Sequence, residues 1–557
     1  MVKPTVQVLR KARNDASFTL VRQLIFLACI VLAITARAEV SRTEADQLEQ
    51  GRRIYQEGIL GSGAKLKGIR FDKTTVEGEA ATCAKCHRKS GMGSLEGRIV
   101  VPPVASPFLF PGENRPVALV DPRSSKNLTQ PHDTYTDESL DKAIRKGINI
   151  QGAQMNLMMP RFSLGKSDML ALIKYLRHLS SELSPGVEPD TLRFATVITP
   201  GVEPKQRDAL VEMMRLAFAQ RNASQQPLSG RMRMGPALLP HTLRDWELKV
   251  WELQGAPETW ESQLAENYRR EPVFALVSGL SNTTWAPVHK FCQHEQLPCL
   301  FPSLTLPPTN EAFYSLYFSR GVTLEAEVLA KHLLDNKDQR PRRLLQVYRQ
   351  DDAALGAAHA LTHALSDSGI KVEDRVLSGT GSADLSSILA GTEEGDAVMF
   401  WLRPADLSAL EKVVPSKLYL AYFSGQLAAS GYDTIPVAWK SVVRLVYPYE
   451  LGEKRRANLA PMQGWLTSRK LPIVDEAMQA EVFLNLILLD ELAIEMLDNL
   501  YRDYMVERAE DMLSWGANIS VYPHLSLAPG QRFASKGGYI VRFDGDKLLA
   551  ESDWIVP

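Results

Sequence analysis

Apolar residues recur along this chain in two rhythms. In residues 39–182 they follow helical spacing. Glu44 to Gln56 has helical composition, and Met169, Leu172, Ile173, Leu176 and Leu179 repeat on one face of a helix that Ser167 is predicted to cap. Thr136 is predicted to cap another helix, through Ser139 to Arg145, with Asp137 and Glu138 in its first turn and Gly147 at its exit. Residues 58–132 between them are rich in Gly and Pro, and so much loop in a small domain needs something besides its own side chains to form a core. Beyond about residue 191, short apolar runs alternate with helical ones. Strands are predicted at Leu192–Thr199, Pro272–Ser278, Pro298–Pro302, Leu344–Tyr348, Ile370–Leu377, Asp396–Leu402 and Lys417–Tyr422. The helices among them are Gln206–Arg221, Ala286–Glu295, Leu324–Leu334, Ala353–Ser368 and Pro404–Val413. A long amphipathic helix is predicted from Glu476 to about Arg508, followed by hairpin-like strands near Gly538–Phe543 and Lys547–Trp554. Such alternation argues for parallel sheets covered on both faces, and a block of this length favours two sheets, hence two lobes.

The two blocks are separated by small, polar and Pro/Gly residues, which read as a linker at 183–191. Residues 1–38 stand apart again. Lys3, Arg10, Lys11, Arg13 and Arg22 precede an unbroken apolar run from Leu24 to Ile34, and Ala36-Arg37-Ala38 follows it. That order describes a secretory signal peptide cleaved after Ala38; the alternative is a membrane anchor, but the run is short of the roughly 20 residues a bilayer needs. Cys29 lies inside this run and is expected to leave with it.

Composition narrows the function classes. The chain has 557 residues, 45% hydrophobic and 23% charged, the values of an ordinary globular protein. Its formal net charge of −1 excludes the overall basic balance of a nucleic-acid binder. Residues 1–38 carry a net of +5, which leaves −6 for the rest, a mildly acidic chain with no predicted membrane span. Five cysteines over this length cannot make a disulfide scaffold.

The sharpest chemical signal is Cys83-Ala84-Lys85-Cys86-His87. C-x-x-C-H attaches c-type haem: two thiols add to the vinyl groups, and the adjacent His is placed under the iron. The alternatives are a thioredoxin-like dithiol, which should open a helix after a strand, and half a zinc site, which needs a second Cys/His pair nearby. A low-spin iron needs a second axial ligand, and a thioether suits it. Candidates lie in Gln154-Met155-Asn156-Leu157-Met158-Met159-Pro160-Arg161-Phe162; Met92 is too close behind His87 to reach the opposite face. Lys85, Arg88, Lys89 and Arg98 surround the motif, as a positive rim for an acidic redox partner or as ordinary solvated charge.

With these residues in view, 48–180 resembles a class I cytochrome c. Gly51-Arg52-Arg53-Ile54-Tyr55 is similar to its N-terminal helix, and Met159-Pro160-Arg161-Phe162 followed by Tyr175-Leu176-Arg177-His178-Leu179 is similar to its distal-ligand loop and C-terminal helix. The resemblance implies a small all-α cytochrome c fold over 39–182 and one covalent haem c. It implies Cys83 and Cys86 as attachment thiols, His87 and Met159 as iron ligands, with Met155 second, and a carbonyl of Pro102 or Pro103 on the proximal His. The chain departs from this family in the long segment between Tyr55 and Cys83.

Residues 192–557 resemble, more loosely, type 1 periplasmic binding proteins of the branched-chain amino-acid receptor kind. The likeness rests on Phe274-Ala275-Leu276-Val277-Ser278-Gly279, Pro298-Cys299-Leu300-Phe301-Pro302-Ser303 and Leu345-Gln346-Val347-Tyr348-Arg349-Gln350-Asp351-Asp352. It implies a two-lobed α/β fold and a solute cleft, where Ser278, Ser281, Ser303 and Thr305 are the candidate hydroxyls; each is also an ordinary cap or turn residue. Cys292 and Cys299 flank a short loop, expected as a disulfide in an oxidising compartment or as two buried thiols. His359 and His363 share a helix face without the H-E-x-x-H pattern of a metalloprotease. No P-loop, Rossmann fingerprint or G-x-S-x-G occurs.

The expected protein is an exported, periplasmic single-electron carrier. It would serve a periplasmic redox partner, as in a dehydrogenase chain, through a fused domain that docks a protein or binds a small solute. The other readings are a solute receptor whose haem senses redox state, and a peroxide-activating enzyme if no Met binds the iron.

Overall fold

The computed structural model describes residues 43–111, 120–121, 126–127, 132–232, 244–310, 312–336, 340–377, 384–415, 418–428, 435–513, 519–545 and 547–557. The expected leader at 1–38, Cys29 included, lies outside them. Contacts divide the chain into two compact units, one ending at Glu182 and the other running from Leu183 to Pro557.

The first unit contains helix α1 (residues 43–57), strands β1 (Lys67–Ile69) and β2 (Thr75–Glu77), and the one-turn helix α2 (Ala84–His87). Strands β3 (Ser94–Glu96) and β4 (Ile99–Val101), helix α3 (Ser106–Leu109), and the short pair β5 (Val120–Asp121) and β6 (Lys126–Asn127) follow. Helix α4 (Asp137–Lys146), strand β7 (Arg161–Phe162) and helix α5 (Lys166–His178) complete it.

The packing of α1 and α4 against α5 makes its core. Gly51 of α1 lies against Ala171 of α5, where a Cβ would stand 2.1 Å from the Ala171 carbonyl oxygen, so only glycine allows this approach. Ile54, Tyr55, Leu140, Ile144, Leu172, Ile173 and Leu176 pack around that crossing. Thr136 caps α4 with a reciprocal Ser139 bond, and Gly147 ends it at φ 64, both as the sequence predicts. The predicted cap of α5 moves: Gly165 occupies that position, and Ser167 lies within the first turn.

The all-α expectation is corrected here. The segment between Tyr55 and Cys83 folds as the antiparallel pair β1–β2, and β1 pairs with β7 in a three-stranded sheet ordered β2-β1-β7. The strand after Pro160 supplies the edge on which β1 pairs its backbone polar groups.

The second unit has two sheets. The first is built from β8 (Thr191–Ile198), α6 (Pro204–Met232), β9 (Asp245–Glu252), α7 (Trp260–Arg270), β10 (Ala275–Val277), β11 (Leu280–Ser281), α8 (Ala286–His294), β12 (Cys299–Leu300), β13 (Ser303–Leu304) and β14 (Ser315–Leu316). Its order is β13-β11-β8-β10-β12-β14, with β9 on β8 and every pairing parallel.

The second is built from α9 (Val322–Asp335), β15 (Arg343–Arg349), α10 (Asp352–Ala364), β16 (Lys371–Leu377), α11 (Leu385–Ile388), β17 (Asp396–Trp401), α12 (Pro404–Leu407), β18 (Leu418–Ser424), α13 (Gly425–Ala428), α14 (Val437–Lys440) and β19 (Val443–Tyr447). Helices α15 (Gly452–Ser468), α16 (Glu476–Met496) and α17 (Arg502–Met512) intervene before the antiparallel edge pair β20 (Tyr539–Asp544) and β21 (Lys547–Ala550). Its order is β16-β15-β17-β18-β19-β20-β21.

The predicted long helix is thus two helices. It breaks at Leu497, which has φ 52, because a tertiary contact satisfies the freed backbone. Ser184 donates its N–H to the Leu500 carbonyl, and its hydroxyl accepts the Arg502 N–H. Nor is α16 amphipathic: Gln479, Glu481 and Asn485 are buried with its apolar residues. Residues 183–191, expected as a linker, are held in part by the same region. Arg502 is 7% exposed, and its guanidinium donates to the carbonyls of Phe274, Glu295, Pro185 and Val273 and to the Tyr268 hydroxyl.

Arg502 therefore joins three segments without an acidic partner in those bonds. Arg502→Leu should destabilise this unit by about 3 kcal/mol, since it orphans buried carbonyls. Denaturant unfolding followed by tryptophan fluorescence reads the shift.

Candidate functional site

Cys83 precedes α2, and α2 carries Ala84, Lys85, Cys86 and His87 in a single turn, closed by the His87 N–H donating to the Cys83 carbonyl at 2.9 Å. That turn puts both thiols and the imidazole on one short element. Three contacts hold it. The Tyr55 hydroxyl of α1 donates to the Arg88 carbonyl at 2.8 Å, and the Ser94 hydroxyl donates to the Cys86 carbonyl at 2.8 Å. Gly93, at φ 79, donates its N–H to the His87 carbonyl, and a Cβ there would lie 2.3 Å from the Val101 carbonyl oxygen. The loop carrying Pro102 can approach α2 only because that position is glycine.

His87 Nδ1 lies 2.9 Å from the Pro102 carbonyl oxygen. A carbonyl only accepts, so Nδ1 carries the hydrogen and Nε2 keeps its lone pair. Pro102 is thus the proline, of the two expected, whose carbonyl serves this role. Burial lowers the His87 pKa, opposed by the Pro102 bond, so the ring is held neutral, the form that binds a metal. Burial pushes the Cys83 thiol up to about 12 and raises Cys86 as well. A redox dithiol needs a lowered thiol pKa, which this pair lacks. Among the described residues no group of three or more His, Cys, Asp or Glu could hold a metal ion, so half a zinc site finds no other half.

The methionines separate by burial. Met92 is fully buried core. Met155 packs against the core cluster of α4 and α5. Met159 is half-buried outside that cluster, and Met158 is exposed. The loop bearing them is ordered by its backbone: Met155 N–H donates to the Gly147 carbonyl at 2.8 Å, and Met159 N–H to the Asn156 carbonyl at 3.2 Å. Two thiols, a neutral imidazole whose Nε2 has no hydrogen-bond partner among the described residues, and a thioether outside the core are a donor set that fits a covalent haem. In the expected rim, Lys85 and Arg98 are exposed, while Arg88 and Lys89 are half-buried.

In the second unit Ser278 and Ser281 lie at the carboxyl ends of β10 and β11, Ser303 opens β13 and Thr305 follows it, and the first three have side-chain partners inside the protein. The Asn485 amide donates to Ser278 Oγ at 3.0 Å and to the Leu300 carbonyl at 2.9 Å. The Thr199 hydroxyl donates to Ser281 Oγ at 2.7 Å. Ser303 is bonded to Glu481, and the Thr305 carbonyl accepts the Val322 N–H. Ser278 and Phe301 sit at φ 56 and φ 51, left-handed conformations unusual for their residue types.

Two buried carboxyls, which the sequence reading missed, lie among these elements. Glu325 of α9 accepts the Ser424 hydroxyl and the Gln426 N–H, and Glu481 of α16 accepts the Tyr522 hydroxyl at 2.6 Å. Burial pushes Glu325 up to about 8 and Glu481 up to about 7, against the lowering effect of those bonds. Nothing in a single sequence marks either as buried. Cys292 and Cys299, expected as a bridge or as two buried thiols, are both fully buried and in contact with each other. His359 and His363 are exposed on α10.

Among the described residues no helix is long and apolar enough to cross a membrane. Residues 78–180 match the model of the cytochrome c family. No curated protein matches the chain. Among solved structures, a branched-chain amino-acid ABC transporter from Thermus thermophilus with bound valine is 10% identical, with a TM-score of 0.48 over 66% of this chain and 97% of its own. A fatty acid ABC transporter substrate-binding protein from Thermomonospora curvata is 12% identical, with a TM-score of 0.47 over 68% of this chain and 95% of its own. A possible leucine/isoleucine/valine-binding protein from Rhodopirellula baltica SH 1 is also 12% identical, with a TM-score of 0.48 over 66% and 97%.

The two carboxyls give the second unit a pH dependence of definite sign. Their pKa is raised from 4.5 on folding, so their share of stability is complete below about pH 4.5 and is lost as pH rises through 7 and 8. The denaturant midpoint should fall between about pH 5 and about pH 9. The double variant E325Q/E481Q should lose most of that slope; an unchanged slope would assign the dependence to other groups.

Proposed function

We propose that this chain is a periplasmic c-type cytochrome that carries electrons one at a time, exported by the leader at 1–38 and fused to a docking or solute-binding unit. The observation that carries the reading is the His87 Nδ1 to Pro102 carbonyl bond within the Cys83–His87 turn. It leaves Nε2 free for iron in the segment that matches the cytochrome c family. When bound, haem supplies reversible exchange of one electron between ferric and ferrous iron. The chain's residues do the rest. Cys83 and Cys86 would tether the group, and His87 and Met159 would hold its iron. Pro102 orients the imidazole and raises its basicity. Lys85 and Arg98 offer positive charge to an acidic redox partner, such as a dehydrogenase of the same compartment.

The second unit is better read as a docking body than as an open solute receptor, because Ser278, Ser281 and Ser303 are already bonded inside the protein. In a solute-binding role coupled to the haem, affinity for the solute would differ between the oxidised and reduced protein. Calorimetry with one branched-chain amino acid on both forms tests this, and absence of heat in either supports the docking reading.

The mature, exported protein should exceed its polypeptide mass by one haem and show a Soret band. The ferric form should show the near-infrared methionine-to-iron band, abolished by Met159→Ala and retained in Met155→Ala. Loss in Met155→Ala alone would move the ligand to that residue.

Cys292 and Cys299 touch, and an oxidising compartment should close them into a disulfide, worth about 2–3 kcal/mol for so short a loop. Peptide mapping without reductant should then find the two joined, while free alkylation of both would show a thiol pair.

A further inference from the structure

Met159 hangs from an irregular loop, so something must fix it if its sulfur is to face one atom. The chain continues from Met159 through Pro160 to Arg161, the first residue of β7. The Arg161 Nη1 turns back and donates to the Met159 carbonyl at 2.5 Å. The rest of the guanidinium lies over Gly147, the left-handed residue that ends α4, where a Cβ would be 1.9 Å from Arg161 Cζ. A cation at that end of the helix is favoured by the α4 dipole. Among the described residues no ion pair is found for Arg161, so its charge is committed to backbone carbonyl and helix end.

Arg161 is itself held from the other side. Ile69 of β1 pairs with Arg161, and Gly68 with Phe162. A Cβ on Gly68 would stand 2.8 Å from Pro160 Cβ, so the strand lies directly on the Met159–Pro160 turn. On α4, Arg145 donates to the Leu164 carbonyl at 2.6 Å, and the Gly147 carbonyl accepts from Met155. The loop from 147 to 161 is closed at its neck by these contacts.

We propose that Arg161 is a positioning residue for the distal iron ligand. Clamped between α4 and the β1–β2 pair, it holds the Met159 backbone so that this thioether, not Met155, faces the iron. The proposal rests on the haem reading above.

The test uses the full exported protein as wild type, Arg161→Ala, Arg161→Lys and Met159→Ala, all checked for Soret absorbance and haem mass. Arg161→Ala should keep its haem but lose most of the near-infrared band. Its ferrous form should bind carbon monoxide about tenfold faster, the cost of one hydrogen bond from a charged donor. Arg161→Lys should recover part of the band, because an ammonium can reach the carbonyl without reproducing the planar fork. Gly147→Ala, which drives a methyl into the guanidinium, gives a second route to the same loss should Arg161→Ala fail to fold. A wild-type band and carbon monoxide rate in Arg161→Ala or Gly147→Ala, with the band abolished in Met159→Ala, would overturn the proposal alone. A band that survives Met159→Ala would overturn the ligand assignment and the proposal with it.

Discussion

A neutral imidazole has one hydrogen to give and one lone pair to offer, and in His87 the Pro102 carbonyl takes the first. Much of the first unit serves to make that contact possible. Gly93 lets the Pro102 loop close on α2, Tyr55 and Ser94 secure the backbone on either side of His87, and Gly51 lets α1 lie near enough to α5 to bring Tyr55 into place. Remove the orientation and the ring could present either nitrogen. The chemistry proposed here would then depend on chance rotation of a side chain.

The parts of this architecture that could be read from the sequence are those whose cause is local. C-x-x-C-H is a contiguous turn, and the cap at Thr136 and the stop at Gly147 are settled within a few residues. The βα order of the second unit follows from apolar runs short enough to be strands. What was misread has its cause far along the chain. Ser184 and Arg502 are 318 positions apart, and their bond stabilises the break that periodicity alone runs through. The β1–β7 pairing joins residues on either side of the haem motif, so a segment without a family counterpart looked like loop. Glu325 and Glu481 were invisible for a related reason: burial is a property of the packed fold, and carboxylates are exposed by default.

The second unit shows how polar groups can be buried at the ends of strands. Asn485 projects from α16 onto the carboxyl ends of β10 and β12, where Ser278 and Phe301 adopt left-handed conformations. Strain of this kind persists only where surrounding structure over-determines it, and a buried amide bridging both strand ends is such a constraint. Glu481, Tyr522 and Ser303 continue the network nearby. In that setting a hydroxyl at a strand end is better explained as part of an internal network than as a waiting ligand contact. The same residue types at the same strand ends support either role, and only their partners distinguish the two.

The extra hairpin in the first unit can be weighed in the same way. Were it an ornament, its removal would leave the distal loop as it is. Yet β1 supplies the partner that makes residues 161–162 a strand, and a strand fixes the direction in which Arg161 leaves the backbone. An isolated two-residue segment after a proline has no such constraint, since its N–H and carbonyl groups could pair with water. The inserted segment thus replaces solvent as the hydrogen-bonding partner of the chain that follows Met159. A longer sequence between Tyr55 and Cys83 thereby becomes a means of controlling a side chain some ninety residues later.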